Sequence, residues 1–148
     1  MTNEINSFKG AYAFLSNFYP CEIHFEGAIY PSVEHAYQAS KTVVYAEKEN
    51  IRLARGPGIA KQRGKTVTLR KEWDDPQFRI DTMRGLLQEK FSDPPLVNML
   101  LTTGDEELIE GNWWGDKFWG VCKDKGENHL GKLLMEIRNN LKIGNLVP

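Results

Sequence analysis

Glu34 and Lys41 are the residues of this chain whose types and spacing best suit a reacting pair. They lie in the segment Tyr30-Pro31-Ser32-Val33-Glu34-His35-Ala36-Tyr37-Gln38-Ala39-Ser40-Lys41. Pro31 breaks extended structure and Ser32 is a good N-cap, so a helix is predicted from there to about Tyr45. Residues of a helix advance by about 100° each, which gathers Val33, Ala36, Tyr37, Ser40 and Val44 on a core-facing stripe. Glu34, Gln38 and Lys41 share a neighbouring stripe at its edge. Glu34 and Lys41 are then two turns apart, roughly 10 Å in axial rise, a gap that their long side chains partly close or a sugar-sized ligand fills. Such a stripe is either a reacting face or a solvated polar face with a capped start.

Other segments carry candidates of the same two-sided kind. Phe14-Leu15-Ser16-Asn17-Phe18-Tyr19-Pro20 joins aromatic bulk to an Asn side chain, as a plain turn or as a pocket wall that stacks a ring and hydrogen-bonds it. Trp73, just before Asp74-Asp75-Pro76, reads first as a core anchor and second as a stacking platform. Glu110-Gly111-Asn112-Trp113-Trp114-Gly115-Asp116-Lys117-Phe118-Trp119-Gly120 follows neither period and reads as an ordered loop. Its three tryptophans are costly to expose, so they pack on the core, on a partner or on a bound planar group. Asp116 caps a turn or acts on substrate, and Asn128 reads as the N-cap of the last helix, whose start after Gly126 could receive a phosphate.

The elements that must position these residues are short. Cys21 to Glu26 alternates polar with apolar residues, Gly27 turns, and Ala28-Ile29-Tyr30 returns, which predicts a β-hairpin with Ile23 and Phe25 on its buried face. Phe8 to Tyr12 could add a strand. Helices are predicted from Glu47 to Arg55, stopped by Gly56-Pro57-Gly58, with one further turn over Ile59 to Arg63. Asp75-Pro76 starts a helix carrying Ile80, Met83, Leu87 and Phe91, and Asp93-Pro94 starts another through Leu101 that ends at Gly104. Leu130, Leu134, Ile137 and Leu141 mark a last helix with a stop at Gly144-Asn145. The fold class is therefore α+β, helix-dominated, with a small β-hairpin or sheet near the N-terminus. The 148 residues read as a single domain spanning 1–148.

Nineteen basic against twenty acidic residues leave no basic excess for sequence-blind nucleic-acid binding, so a nucleic-acid substrate would need a local patch. No run of about 18 apolar residues is present, and Met1-Thr2-Asn3-Glu4 opens no leader, so a cytoplasmic protein with no membrane partner is expected. Cys21 and Cys122 are expected to be free thiols. His24, His35 and His129 are too scattered for a dedicated metal site, so no metal is expected.

Taken together, several of these segments resemble the NADAR family, the YbiA-like domains. The resemblance is carried by Phe14–Phe18, by Tyr30–Ala39 with Lys41, by Trp73, Lys90-Phe91 and Leu101 through Glu110, by Asp116–Gly120, and by Asn128-His129-Leu130-Gly131 through Arg138. Ser40 stands where the family commonly has Gln, and Trp113-Trp114 is particular to this chain, where it could tune substrate choice. The resemblance implies an N-glycosidase without cofactor that cleaves a ribose–nitrogen bond. Removal of ADP-ribose from modified guanine, in DNA, RNA or a nucleotide, is the preferred substrate reading. Phosphoribosylated pyrimidine amines of riboflavin biosynthesis are the alternative, and a non-catalytic ADP-ribose or NAD reader is a third.

Breaking such a bond builds positive charge on the sugar, so a carboxylate beneath the ring is required, and Glu34 is the choice. Lys41 would form a Schiff base with the ring-opened sugar or hold an anionic group as a cation, the first being preferred. Asp116 would bind ribose hydroxyls or serve as the second carboxylate. Trp73 and Trp119 would stack the base or close the pocket, Asn17 and Asn128 would orient polar groups, and Phe18, Gln38 and Gly120 would complete the substrate site.

Overall fold

Prolines and glycines set most element boundaries in the computed structural model, which describes residues 3–146. Along the chain run β1 (Glu4–Ile5), a 3₁₀ turn (Gly10–Leu15), β2 (Ile23–Phe25), β3 (Ala28–Tyr30) and α1 (Val33–Ala39). They are followed by α2 (Tyr45–Arg52), α3 (Pro57–Gly64), a second 3₁₀ turn (Lys71–Asp74), α4 (Pro76–Lys90), α5 (Pro94–Thr102), β4 (Glu107–Leu108) and α6 (His129–Leu146). The class is α+β, helix-dominated, with two small two-stranded sheets. Residues 17–90 make one compact unit, and residues 3–16 with 91–146 make another.

In the 17–90 unit, β2 and β3 form the predicted hairpin, pairing Ile23 with Tyr30 and Phe25 with Ala28. Glu26 and Gly27 both take left-handed φ values, 49° and 82°, as a two-residue hairpin turn requires. Ile23 is fully buried and Phe25 half-buried, with His24 exposed between them. The helix predicted to reach Tyr45 stops at Ala39, and the next begins at Tyr45. The cause is local: the Ser40 hydroxyl donates to the Tyr37 carbonyl at 2.5 Å, and Thr42 accepts from the Val44 amide while donating to Glu47. Side chains that bond nearby backbone in this way compete with helical propagation. Val44 consequently lies exposed instead of on the core stripe. Pro57, read from the sequence as part of a stop, is the first residue of α3, where its missing N–H costs nothing. Asp75 caps α4 through the Gln77 amide at 2.9 Å, and Met83, Leu86, Leu87 and Lys90 are buried along it.

In the other unit, β1 and β4 pair in parallel, Ile5 beside Leu108. The strand suggested over Phe8 to Tyr12 is instead the 3₁₀ turn, because Gly10 at φ 58° turns the chain and Tyr12 and Ser16 bond back to Lys9 and Ala13. α5 ends as predicted before Gly104, which is left-handed at φ 63°. α6 buries Leu130, Leu133, Leu134 and Ile137 and continues through the predicted stop, since Gly144 is not left-handed. Buried Arg138 donates to Thr103, and Lys142 donates to the Gly104 carbonyl, so basic side chains of α6 satisfy the end of α5.

Candidate active site

α1 is held from its first turn. The Ser32 hydroxyl accepts from the His35 amide at 3.1 Å and lies 2.7 Å from His35 Nδ1, while His35 Nε2 lies 3.1 Å from the Ala54 carbonyl. A carbonyl only accepts, so Nε2 carries the ring proton and Nδ1 takes the Ser32 hydroxyl. Burial pushes the His35 pKa down and keeps this brace neutral. The Asn17 carbonyl accepts from the Glu34 amide at 3.0 Å, which ties the aromatic turn to the start of α1.

Every residue from Val33 to Ala39 is buried, so the polar stripe has no solvated face. Glu34 is 8% exposed, and its carboxylate accepts from Gln38 Nε2 at 2.8 Å. Gln38 is itself pinned by α3: a Cβ at Gly64 would collide with Gln38 Oε1. Gln38 Oε1 and Asn17 Oδ1 are buried acceptors with no hydrogen-bond partner among the described residues. Asn17 Nδ2 rests 3.7 Å from Met83 Sδ, and Phe18 is 43% exposed.

Lys41 lies in the turn just past α1, half-buried, its carbonyl accepting from the Arg70 amide at 2.8 Å. Burial lowers its pKa first of all; Glu34 opposes this, and Lys61 and Lys65 reinforce it. A lysine surrounded in this way sheds its proton more readily, which a nucleophilic amine needs. Lys61 and Lys65 were missed in the sequence, although their four-residue spacing around α3 was a usable signal. Trp73 is half-buried, its ring tilted against Tyr37 at 5.2 Å and edge-on to Phe78 at 6.2 Å. The 17–90 unit thus brings together Asn17, Glu34, Gln38 and Lys41, with Trp73 packed on the Tyr37 side of the same helix.

The other predicted residues cluster in the second unit. Asp116 Oδ1 accepts from the Phe118 and Trp119 amides at 3.1 and 2.9 Å, so this carboxylate caps the turn that presents Trp119. Trp119 stands edge-on to Phe118 at 4.9 Å. Gly120 is buried where any Cβ would collide with the Glu110 carbonyl and carboxylate. Asn128 is left-handed at φ 54°, and its side chain does not cap α6. Oδ1 accepts from the Glu110 amide at 3.0 Å, and Nδ2 donates to the Leu108 carbonyl at 2.9 Å. The first amides of α6 are also taken, His129 by the Phe118 carbonyl and Leu130 by the Trp119 carbonyl, which overturns the open phosphate site expected there.

Asn128→Ala strands two backbone groups beside β4 and should cost about 2 kcal/mol, since each buried unmet partner costs about 1–3 kcal/mol. Urea unfolding of the variant measures it, and a loss below about 0.5 kcal/mol would refute the bracing role.

Among the described residues no group of three or more His, Cys, Asp or Glu side chains is placed to hold a metal, and no helix is long and apolar enough to cross a membrane. An N-glycosidase of Nostoc punctiforme is 39% identical over 138 residues, covering 88% of this chain and 86% of that protein. The N-glycosidase YbiA of Escherichia coli is 35% identical over 139 residues, covering 89% and 83%. A riboflavin biosynthesis protein of Vibrio vulnificus is 37% identical over 139 residues, and there the match spans 36% of the longer protein. The NMR structure of E. coli YbiA superposes with a TM-score of 0.85 at 34% identity, covering 100% of this chain and 90% of that one. The NADAR domain model matches residues 6–142, across both compact units, and the chain belongs to the NADAR family.

Proposed function

We propose that this N-glycosidase removes ADP-ribose from ADP-ribosylated guanine by cutting the bond between the anomeric carbon and a guanine nitrogen. The observation that carries the reading is the buried Glu34 carboxylate, held by Gln38, on the helix that leads into Lys41, whose proton burial loosens. Glu34 takes the proton that Lys41 sheds, and as it passes that proton to the departing nitrogen its returning carboxylate stabilises the charge that develops on the sugar. The Lys41 amine bonds to the anomeric carbon, and the guanine nitrogen leaves with its electron pair and takes the proton from Glu34. The sugar ring then opens, its oxygen leaving the anomeric carbon and taking a proton from the new lysine nitrogen, and water hydrolyses the resulting protonated imine, releasing ADP-ribose and restoring the amine.

The lysines favour a substrate rich in phosphate. Lys61 and Lys65 stand near enough to Lys41 to affect its titration, and a diphosphate offers them more than a monophosphate does. A second reading, cleavage of phosphoribosylated pyrimidine amines, is favoured by the riboflavin biosynthesis name of the Vibrio relative. Mass spectrometry of the protein incubated separately with ADP-ribosylated guanosine and with a phosphoribosylated pyrimidine amine separates the two. The first reading expects free ADP-ribose and unmodified guanosine; turnover of the pyrimidine amine alone would overturn it.

A further inference from the structure

We propose that a cleft beside Trp113 and Trp114 binds single-stranded nucleic acid by stacking its bases. The cleft, of about 630 Å³, is lined by both indoles together with Glu4, Lys9, Lys123 and Asp124. That volume falls within the range of small-ligand sites and admits a nucleotide. Trp113 is 79% exposed and Trp114 46%, an unusual display of apolar area on a soluble surface.

The display is built into the loop. The Asn112 side chain donates to the Asp116 carbonyl at 2.8 Å and accepts from the Asp116 amide at 3.0 Å, closing the loop at its base. Gly115, left-handed at φ 89°, turns the chain back behind the indoles. Across the cleft, Lys123 and Asp124 form the tip of a tight turn closed by two backbone bonds between Cys122 and Lys125, at 2.8 and 3.1 Å. Both walls are therefore fixed before any ligand arrives, which lowers the ordering cost of binding.

The chemistry of the lining selects the occupant. The two indoles stand 5.7 Å apart at 87°, so their ring faces point in different directions, suited to successive unstacked bases more than to a continuous apolar protein surface. Lys9 and Lys123 can each reach a phosphate, but Glu4 and Asp124 balance their charge, so stacking must carry the affinity. Two phosphate contacts limit the loss between 50 and 200 mM salt to no more than about sevenfold. A base-paired strand hides its ring faces and is excluded.

This proposal rests on the guanine reading above for its purpose, because a modified guanine within a strand arrives with neighbours. Its test does not depend on cleavage. Fluorescence anisotropy is measured with labelled, unmodified eight-nucleotide DNA and RNA strands, with an abasic strand of equal charge, and with a duplex. DNA, RNA or both are expected to bind, whichever binds identifying the source, with the abasic strand at least about tenfold weaker. Trp113→Ala and Trp114→Ala should each weaken binding about 5- to 150-fold, the range for a lost base–aromatic stack. Turnover of ADP-ribosylated guanosine as a free nucleoside should stay unchanged in both variants. Equal binding of the abasic strand, unchanged binding in both variants, preference for the duplex, or no strand binding at all (as a protein-docking loop would give) overturns the proposal. Absence of turnover of the free nucleoside by the wild-type chain, with strand binding as expected, would instead count against the guanine reading alone.

Discussion

Lys41→Ala should lower turnover by about a thousandfold or more while leaving the protein folded, because the side chain is only half-buried and its loss removes the proposed nucleophile. Glu34→Gln should cost about 10²- to 10⁴-fold, the usual worth of a general acid–base or of an electrostatic stabiliser at developing charge. Gln preserves the shape of Glu34 and can still meet Gln38, so this variant reports charge more than packing. Near wild-type rates in both variants would refute the mechanism. Lys41→Arg separates the two roles of the lysine: arginine keeps the cation but forms no Schiff base, so a nucleophilic Lys41 predicts inactivity and an electrostatic one predicts partial activity. Borohydride added during turnover should fix a sugar adduct to the wild-type chain at Lys41 and none to Lys41→Ala.

The second large effect is on stability. Lys90 is 1% exposed at the end of α4, its ammonium 5.6 Å from the centre of the Tyr19 ring. Burial lowers its pKa to about 8, with the Cys21 thiol partly opposing, against an ordinary 10.5. Between those two values the unfolded chain binds the proton that the folded chain has lost, so stability rises with pH across that window. The full gain is about 3 kcal/mol, since each tenfold weakening of proton binding on folding is worth about 1.4 kcal/mol. Below pH 8 both states are protonated, and the penalty of the buried charge is present in full. Lys90→Met should abolish this slope. Urea unfolding from pH 7 to 10 on both proteins checks it, and parallel curves would refute it. Taking the difference between them removes the contributions of Lys41, lowered by burial, and of Tyr30, whose raised phenol acts in the opposite sense above pH 10.

The elements with the strongest local signals were legible in the sequence. The β2–β3 hairpin, the Pro76 and Pro94 starts and the stripe of α6 follow from alternation, caps and period, each decided within a few residues. What escaped was set by side-chain hydrogen bonds and close approach. The end of α1 depends on Ser40 and Thr42 turning to nearby backbone, and the role of Asn128 depends on β4, whose residues lie 20 positions away. The site was half legible in the same sense. Helical geometry put Glu34, Gln38 and Lys41 on one stripe at the edge of the buried face, and left open whether that edge was solvated, because its burial comes from the packing of the β2–β3 hairpin and of α2, α3 and α4 against α1. Lys61 and Lys65 entered through that packing as well.

The seven residues of α1 have a further meaning for how the molecule comes apart. Isolated helices shorter than about 12 residues are marginal in water, because nucleation is costly, so α1 persists only while its neighbours enclose it. Its amides should therefore exchange with deuterium only when the 17–90 unit opens as a whole, and no frayed, half-active form should accumulate. Loss of turnover in a denaturant titration should follow the loss of secondary structure, which makes enzymatic rate a direct gauge of the folded fraction.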